Sequence, residues 1–140
     1  MIPKILVVDN NDSITLLLSL TLKTEGCDVE TAADGMEAFQ KFQLNEPDVP
    51  VIDLVKPEMD VQALCRRVRK ISGVPILIIT GDLGGHNDAD TLRHLGANGY
   101  LTKPFDLEDF AAQVKSLLTN WRESQSRPQS LDDEAESISS

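Results

Sequence analysis

Four short apolar runs in this 140-residue chain each lead into a polar residue suited to handling a phosphoryl group. KILVV leads into Asp9-Asn10, VPVI into Asp53, PILII into Thr80, and GYLT into Lys103-Pro104. A carboxylate can attack phosphorus and form an acyl phosphate, so Asp53 is the candidate nucleophile. Asp9 brings a second carboxylate and Asn10 an uncharged amide oxygen. Mg²⁺ takes oxygen ligands of this kind and keeps several waters, so Asp9, Asn10, Asp53 and a backbone carbonyl suit that ion. The Thr80 hydroxyl can donate to a phosphoryl oxygen, and Gly81 beside it has no side chain to crowd the group. The Lys103 ammonium can pair first with Asp53 and then with the phosphoryl charge. The Lys103–Pro104 bond is a candidate for the cis form. Taken singly, these residues read equally well as a turn aspartate, a helix cap, an idle hydroxyl and a solvated lysine. The coincidence of all of them at strand ends carries the argument.

Runs this short and β-branched read as buried parallel strands, and an open α/β sheet binds its ligand beyond the carboxyl ends of its strands. Strands are expected over Lys4–Val8, Val29–Ala32, Val49–Ile52, Pro75–Ile79 and Gly99–Leu101. The first helix is expected to be capped by Asp12 or Ser13 and to end near Gly26. The others are expected over Gly35–Gln43, Val61–Ile71, Asn87–Leu95 and Leu107–Arg122. Strand–helix alternation with short links implies a parallel sheet covered on both faces by right-handed crossovers. In the first helix, Ile14, Leu17, Leu18 and Leu22 form the expected core face. Leu16 and Leu20 fall outside it, as isolated exposed leucines or as a partner patch.

Composition suits one soluble domain, with 41% hydrophobic and 26% charged residues. It shifts near Arg122, so a folded domain is expected over 1–122 and an acidic, disordered tail or linker over 123–140. That tail carries a net charge of −4, with Leu131, Ala135 and Ile138 as its apolar residues. The whole chain carries −10, which argues against direct nucleic-acid binding, because phosphate contacts need a basic face. No run approaches the ~20 apolar residues of a membrane span, so no membrane contact is expected, and two lone cysteines in an acidic chain suggest a reducing, cytoplasmic location. Cys27 and Cys65 match no metal-ligand spacing and read as reduced core residues. Arg66, Arg67, Arg69 and Lys70 read as a solvated basic face, or as a dock for an acidic partner or the acidic tail. His86 and His94 read as surface or loop residues, and Trp121 as an anchor of the last helix or an interface residue.

The segments ILVVDNND (5–12), PDVPVIDLVKPEMD (47–60), PILIITG (75–81) and GANGYLTKPF (96–105) resemble the receiver domain of bacterial two-component response regulators. The resemblance spans 1–122 and implies a doubly wound, flavodoxin-like sheet of five parallel strands in the order 2-1-3-4-5, with five helices. It implies that Asp53 is the phosphoacceptor, charged from a phosphohistidine on a sensor histidine kinase or histidine phosphotransfer protein, with the first helix as its docking element. Asp9, Asn10, Asp53 and the backbone carbonyl of Val55 would hold Mg²⁺. Thr80 would bind the phosphoryl group and move toward it, Tyr100 would turn inward as it does, and Lys103 would stabilise the charge. The surface of the fourth helix, fifth strand and fifth helix would then change and be read by a downstream protein target. Such a domain catalyses only its own phosphorylation and dephosphorylation and is not otherwise an enzyme.

Three departures from the family pattern stand out. Family members usually carry two acids after the first strand, and here the second is Asn10. Losing a unit charge ~4 Å from a cation forgoes about 4 kcal/mol of attraction per unit of cation charge at an effective dielectric near ~20, less where exposed. Weak Mg²⁺ binding and slow phosphorylation are therefore expected. Val61 stands where a glycine is common, so the turn after Asp53 is expected to differ. The loop GDLGGHND (81–88) contains Gly84-Gly85 and reads as a flexible link or a mobile switch loop. Val55 and Asp82 occupy positions that tune autodephosphorylation in the family. Two other readings stay open. One is a phosphorylation-independent pseudo-receiver acting as a protein-binding adaptor, favoured by Asn10 and opposed by Asp53, Thr80 and Lys103. The other is a phosphatase with an aspartyl nucleophile, opposed by Val55 where that chemistry needs a second acid.

Overall fold

The strand-forming runs assemble into one parallel sheet in a computed structural model that describes residues 2–53, 58–81 and 89–126. The strands are β1 (Lys4–Val8), β2 (Asp28–Ala32), β3 (Val49–Asp53), β4 (Leu77–Thr80) and β5 (Gly99–Thr102). They alternate with α1 (Asp12–Thr24), α2 (Gly35–Asn45), α3 (Glu58–Ile71), α4 (Ala89–His94) and α5 (Leu107–Ser126). The sheet order is β2-β1-β3-β4-β5, every neighbouring pair parallel. Strand order reverses beside β1, which is the place where an open sheet of this kind leaves a crevice.

Alternate residues along a strand face opposite sides, and here both sides are dry. Ile5, Val7, Val51, Leu77 and Ile79 face one way, against Leu18 and Leu22 of α1 and Phe110, Val114 and Leu118 of α5. Leu6, Val8, Ile52 and Ile78 face the other, against Ala38 and Phe42 of α2, Leu64 and Val68 of α3, and Leu92 of α4. Burial on both faces explains why the strands read as continuous apolar runs instead of alternating ones.

Element bounds differ from the expected ones for local reasons. The α1 N-cap is Asn11, not Asp12 or Ser13: Asn11 is extended (φ −97°, ψ 110°) and its side chain accepts from the Ile14 N–H at 3.1 Å. The β4 ladder begins at Leu77, past Pro75, because Pro75 has no N–H and the Ile76 N–H is taken by the Asn98 side chain at 2.9 Å. Helix α5 continues to Ser126, four residues past the expected boundary at Arg122. Leu17, expected in the core, is 45% exposed. The buried stripe of α1 centres on Leu18, Ser19 and Leu22, and Leu17 falls on its rim beside Leu16 and Leu20, which are also exposed.

Arg69 does not share the solvated face of Arg66, Arg67 and Lys70; it turns inward to backbone carbonyls of Val74 and Gly96 that need donors. Both cysteines are free, and burial pushes the Cys65 thiol up to about 11, which suits an inert core residue. Trp121 is half-buried and packs against the α2–α3 side of the core. Val61, in place of the usual glycine, is buried in α3. Among the described residues no helix is long and apolar enough to cross a membrane. Val55, Asp82, Gly84-Gly85, His86 and the segment 127–140 lie outside the described residues.

Candidate functional site

Register brings the chemically active residues to one edge. Val8 pairs with Ile52, so Asp9 and Asp53 follow side by side at the ends of β1 and β3. Asp53 pairs with Ile79, which sets Thr80 one residue further along β4. Thr80 pairs with Thr102, and the Lys103 N–H donates to the Thr80 carbonyl at 2.9 Å. The sheet thus converges Asp9, Asp53, Thr80 and Lys103 from four strands.

Asp9 is held rigidly. Its N–H donates to the Ala32 carbonyl at 3.0 Å, which keeps β1 against β2 to its last residue. Its Oδ1 accepts from the Asn11 N–H at 2.9 Å, and its carbonyl accepts from Thr15 Oγ at 3.2 Å. Asn11 and Thr15 therefore position Asp9 from the first turn of α1, a role the sequence signalled only as an Asn two residues after the carboxylate. Asn10, by contrast, is exposed.

Asp53 is 8% exposed, and Lys103 Nζ lies 2.8 Å from its Oδ2 as an ion pair. The Lys103–Pro104 peptide is cis. Apart from that ion pair, Asp9 Oδ2 and the Asp53 carboxylate oxygens complete no hydrogen bond among the described residues. Burial pushes the Asp53 carboxyl up to about 6; Lys103 opposes that rise and the neighbouring Asp9 adds to it. Two neighbouring carboxylates, with Lys103 paired to Asp53, leave the site net negative. A dication fits that donor set: Mg²⁺ uses one or two carboxylates and leaves its other positions to water and phosphate. No group of three or more His, Cys, Asp or Glu suited to a metal occurs among the described residues, so the fit is to such a shared site and not to an all-protein cage.

Thr80 is fully buried, and Tyr100 is 38% exposed on β5. Next to Lys103 a groove of about 550 Å³ opens between α1 and the β5–α5 turn, lined by Ile14, Leu17, Leu18, Pro104, Phe105 and Leu107. With exposed Leu16 and Leu20 it makes an apolar surface beside the carboxylates.

Comparison with known proteins agrees with this arrangement. The family model for the response regulator receiver domain matches residues 5–115. A probable transcriptional regulator ycf27 of Cyanophora paradoxa is 43% identical over 115 residues, covering 82% of this chain and 48% of the relative. The DNA-binding dual master transcriptional regulator RpaA of Synechocystis sp. is 36% identical over 119 residues, covering 83% of this chain and 49% of the relative. The crystal structure of a putative response regulator from Chloroflexus aurantiacus superposes with a TM-score of 0.77 at 34% identity, covering 85% of this chain and 99% of that one. The chain thus spans about half the length of the curated relatives it matches. These relatives correct the expectation of no direct nucleic-acid binding, since they are transcriptional regulators and one is DNA-binding. A charge of −10 describes the surface of these 140 residues alone and cannot exclude nucleic acid from the work of proteins twice as long. With the sheet order, the convergent strand ends and the matched residues in agreement, the chain belongs to the response regulator receiver domain family of two-component signalling.

Proposed function

We propose that Asp53 takes a phosphoryl group from a phosphohistidine on a sensor kinase or phosphotransfer protein. The observation that carries this reading is the buried Asp53 carboxylate at the end of β3, with Oδ2 paired to Lys103 at 2.8 Å and Oδ1 completing no hydrogen bond among the described residues. An Asp53 oxygen attacks phosphorus, the phosphorus–nitrogen bond breaks, and the electron pair returns to the imidazole. Lys103 turns its charge from the carboxylate to the phosphoryl oxygens, and Thr80 donates its hydroxyl to one of them. Asp9 and Asp53, with the carbonyl of Val55, would hold Mg²⁺, which would supply charge compensation. Asn10 would leave that site one charge short and weaken its hold on the ion.

Thr80 is buried and Tyr100 exposed, so engaging a phosphoryl group requires Thr80 to be uncovered and leaves the Tyr100 ring free to turn inward. That two-state change alters the α4–β5–α5 surface read by the downstream target, and likeness to transcriptional regulators favours control of transcription in the cytoplasm as the output. The apolar groove between α1 and Phe105 suits the helix that bears the donor histidine.

The test is incubation with a small acyl-phosphate donor over a range of Mg²⁺ concentrations, with intact mass as readout and Asp53→Asn as control. One phosphoryl increment that needs Mg²⁺ and is lost in the variant is expected. No increment at high Mg²⁺ would leave the phosphorylation-independent adaptor as the better account.

A further inference from the structure

At the end of the sheet opposite the carboxylates, one guanidinium ties three backbone segments together. Arg69, on the last turn of α3, donates from Nη1 to the Val74 carbonyl at 2.7 Å and to the Ser72 carbonyl at 3.3 Å. Nη2 donates to the Gly96 carbonyl and to Asn98 Oδ1, both at 2.6 Å, and Nε donates to the same Gly96 carbonyl at 3.2 Å. A guanidinium has five N–H donors, and these five contacts use them all. None of the acceptors is a carboxylate, so the assembly is a charge-assisted clamp on backbone and amide oxygens and not an exchangeable surface ion pair.

What the clamp holds is the join between α4 and β5. The Gly96 N–H donates to the Arg93 carbonyl and the Ala97 N–H to the Leu92 carbonyl, with Gly96 at φ +94°, which closes α4 in a Schellman turn. A Cβ on Gly96 would lie 2.8 Å from Arg69 Cγ, so the arginine stem fills the space that only glycine leaves open. Asn98 Oδ1 also accepts from the Ile76 N–H at 2.9 Å, and the Ile76 carbonyl accepts from Asn98 N–H at 2.8 Å. The starts of β4 and β5 are thereby locked in register. Thr80 and Lys103 sit at the other ends of the same two strands.

We propose that Arg69 is a positioning residue: it anchors the carboxyl end of α4 and the start of β5 to α3, and so confines rearrangement begun at Asp53 to the site-facing ends of α4, β4 and β5. Tyr100 follows the anchored Asn98-Gly99 directly, so its backbone is held while its exposed ring turns. A lysine cannot replace the clamp, because it has three donors and no planar fork.

The confinement of the switch rests on Asp53 being the phosphoacceptor; the clamp itself does not, and the experiment separates the two. Amide hydrogen exchange is measured on wild type, Arg69→Gln, Arg69→Lys and Asn98→Asp, each without donor and after acyl phosphate with Mg²⁺. The mass increment is read in the same samples. Without donor, Gly96–Gly99 amides exchange at least about tenfold faster in Arg69→Gln and Arg69→Lys, while β1 and β3 amides change far less. In Asn98→Asp they slow, because a carboxylate replaces the amide oxygen on the guanidinium. After phosphorylation, wild type keeps its protection at Gly96–Gly99 while amides near Thr80 respond; in the Arg69 variants the response spreads to Gly96–Gly99. A uniform rise across the sheet, or no change at Gly96–Gly99, would overturn the clamp. A wild-type response at Gly96–Gly99 equal to that near Thr80 would overturn the confinement. A missing mass increment would count against the phosphoacceptor reading and leave the donor-free comparison intact. Should Arg69→Gln fail to fold, Arg69→Lys and Asn98→Asp carry the same comparison.

Discussion

Asp53 is ionised at a cost to the fold. Its carboxyl titrates near 6 because it is buried, with Asp9 beside it and Lys103 only partly offsetting both. An acid whose folded pKa lies above its ordinary value binds more protons folded than unfolded, so stability falls as pH rises from about 4 to about 6 and the loss is complete above that. Asp53→Asn removes the charge and is expected to raise unfolding free energy by about 1 to 3 kcal/mol at pH ~8 without Mg²⁺, the gain shrinking toward zero near pH ~4. Urea unfolding at the two pH values checks this; a gain that persists at low pH would mean that packing, not charge, is responsible. Asn10 gives the complementary case. It is exposed, so restoring a carboxylate acts through partly screened solvent, and Asn10→Asp is expected to tighten Mg²⁺ about tenfold. The Mg²⁺ concentration giving half-maximal phosphorylation rate measures it, and an unchanged midpoint would remove Asn10 from the explanation of weak binding. At this scale Asp9, Asp53, Thr80 and Lys103 were legible because strand ends converge whatever the loops do. Arg69 was not, because a helix periodicity shows which side a residue faces but not that a long side chain reaches a carbonyl 27 residues away.

Helix α1 joins the site to its surroundings at two points. Its N-cap, Asn11, also donates its own N–H to Asp9 Oδ1, so one residue both starts the helix and aims the carboxylate. Asn11→Ala is expected to lower stability by about 1 kcal/mol, the usual loss for such a cap, and to leave phosphorylation possible because the backbone N–H remains. Chemical denaturation with a parallel phosphorylation assay checks both parts; loss of phosphorylation at unchanged stability would contradict the division of roles. On its outer rim α1 exposes Leu16, Leu17 and Leu20 beside the groove that ends at Phe105. Leu17→Arg is expected to leave folding and acyl-phosphate labelling unchanged within about twofold, yet slow transfer from a histidine-phosphorylated partner by tenfold or more, since a charge in an apolar contact is costly. Equal slowing with both donors would place the defect in the site and not in docking. The apolar alternation made strands and helices legible as elements, while the caps and the exact buried stripe of α1 depended on side-chain hydrogen bonds and on a rotation of one residue, neither of which periodicity resolves.

Across the whole molecule, one sheet carries an apolar layer on each face, and the sheet order followed from family likeness more than from the apolar runs, since alternation alone permits other orders. The carboxylates are buried at the edge of that core, so the site's lack of positive charge is measurable in the stability of the entire fold. A ligand that binds only the folded chain raises its stability by RT ln(1 + [L]/Kd), about 1.4 kcal/mol at ten times Kd, or roughly 4 to 6 °C in a domain of this size. The chain also carries −10, so any salt relieves general repulsion and stabilises somewhat. Mg²⁺ is therefore expected to raise the midpoint of thermal unfolding of the wild type well beyond an ionic-strength-matched addition of NaCl. In Asp53→Asn the starting midpoint is expected to be higher and the excess effect of Mg²⁺ over NaCl to disappear, because the carboxylate pair that attracts the dication is gone. Asp9→Asn should likewise lose the excess effect of Mg²⁺, and a charge removed at the other end of α5, as in Glu123→Gln, should leave the excess intact. If Asp53→Asn and Asp9→Asn kept the full Mg²⁺ response, the stabilisation would belong to the acidic surface at large and the paired carboxylates would have no claim to the ion.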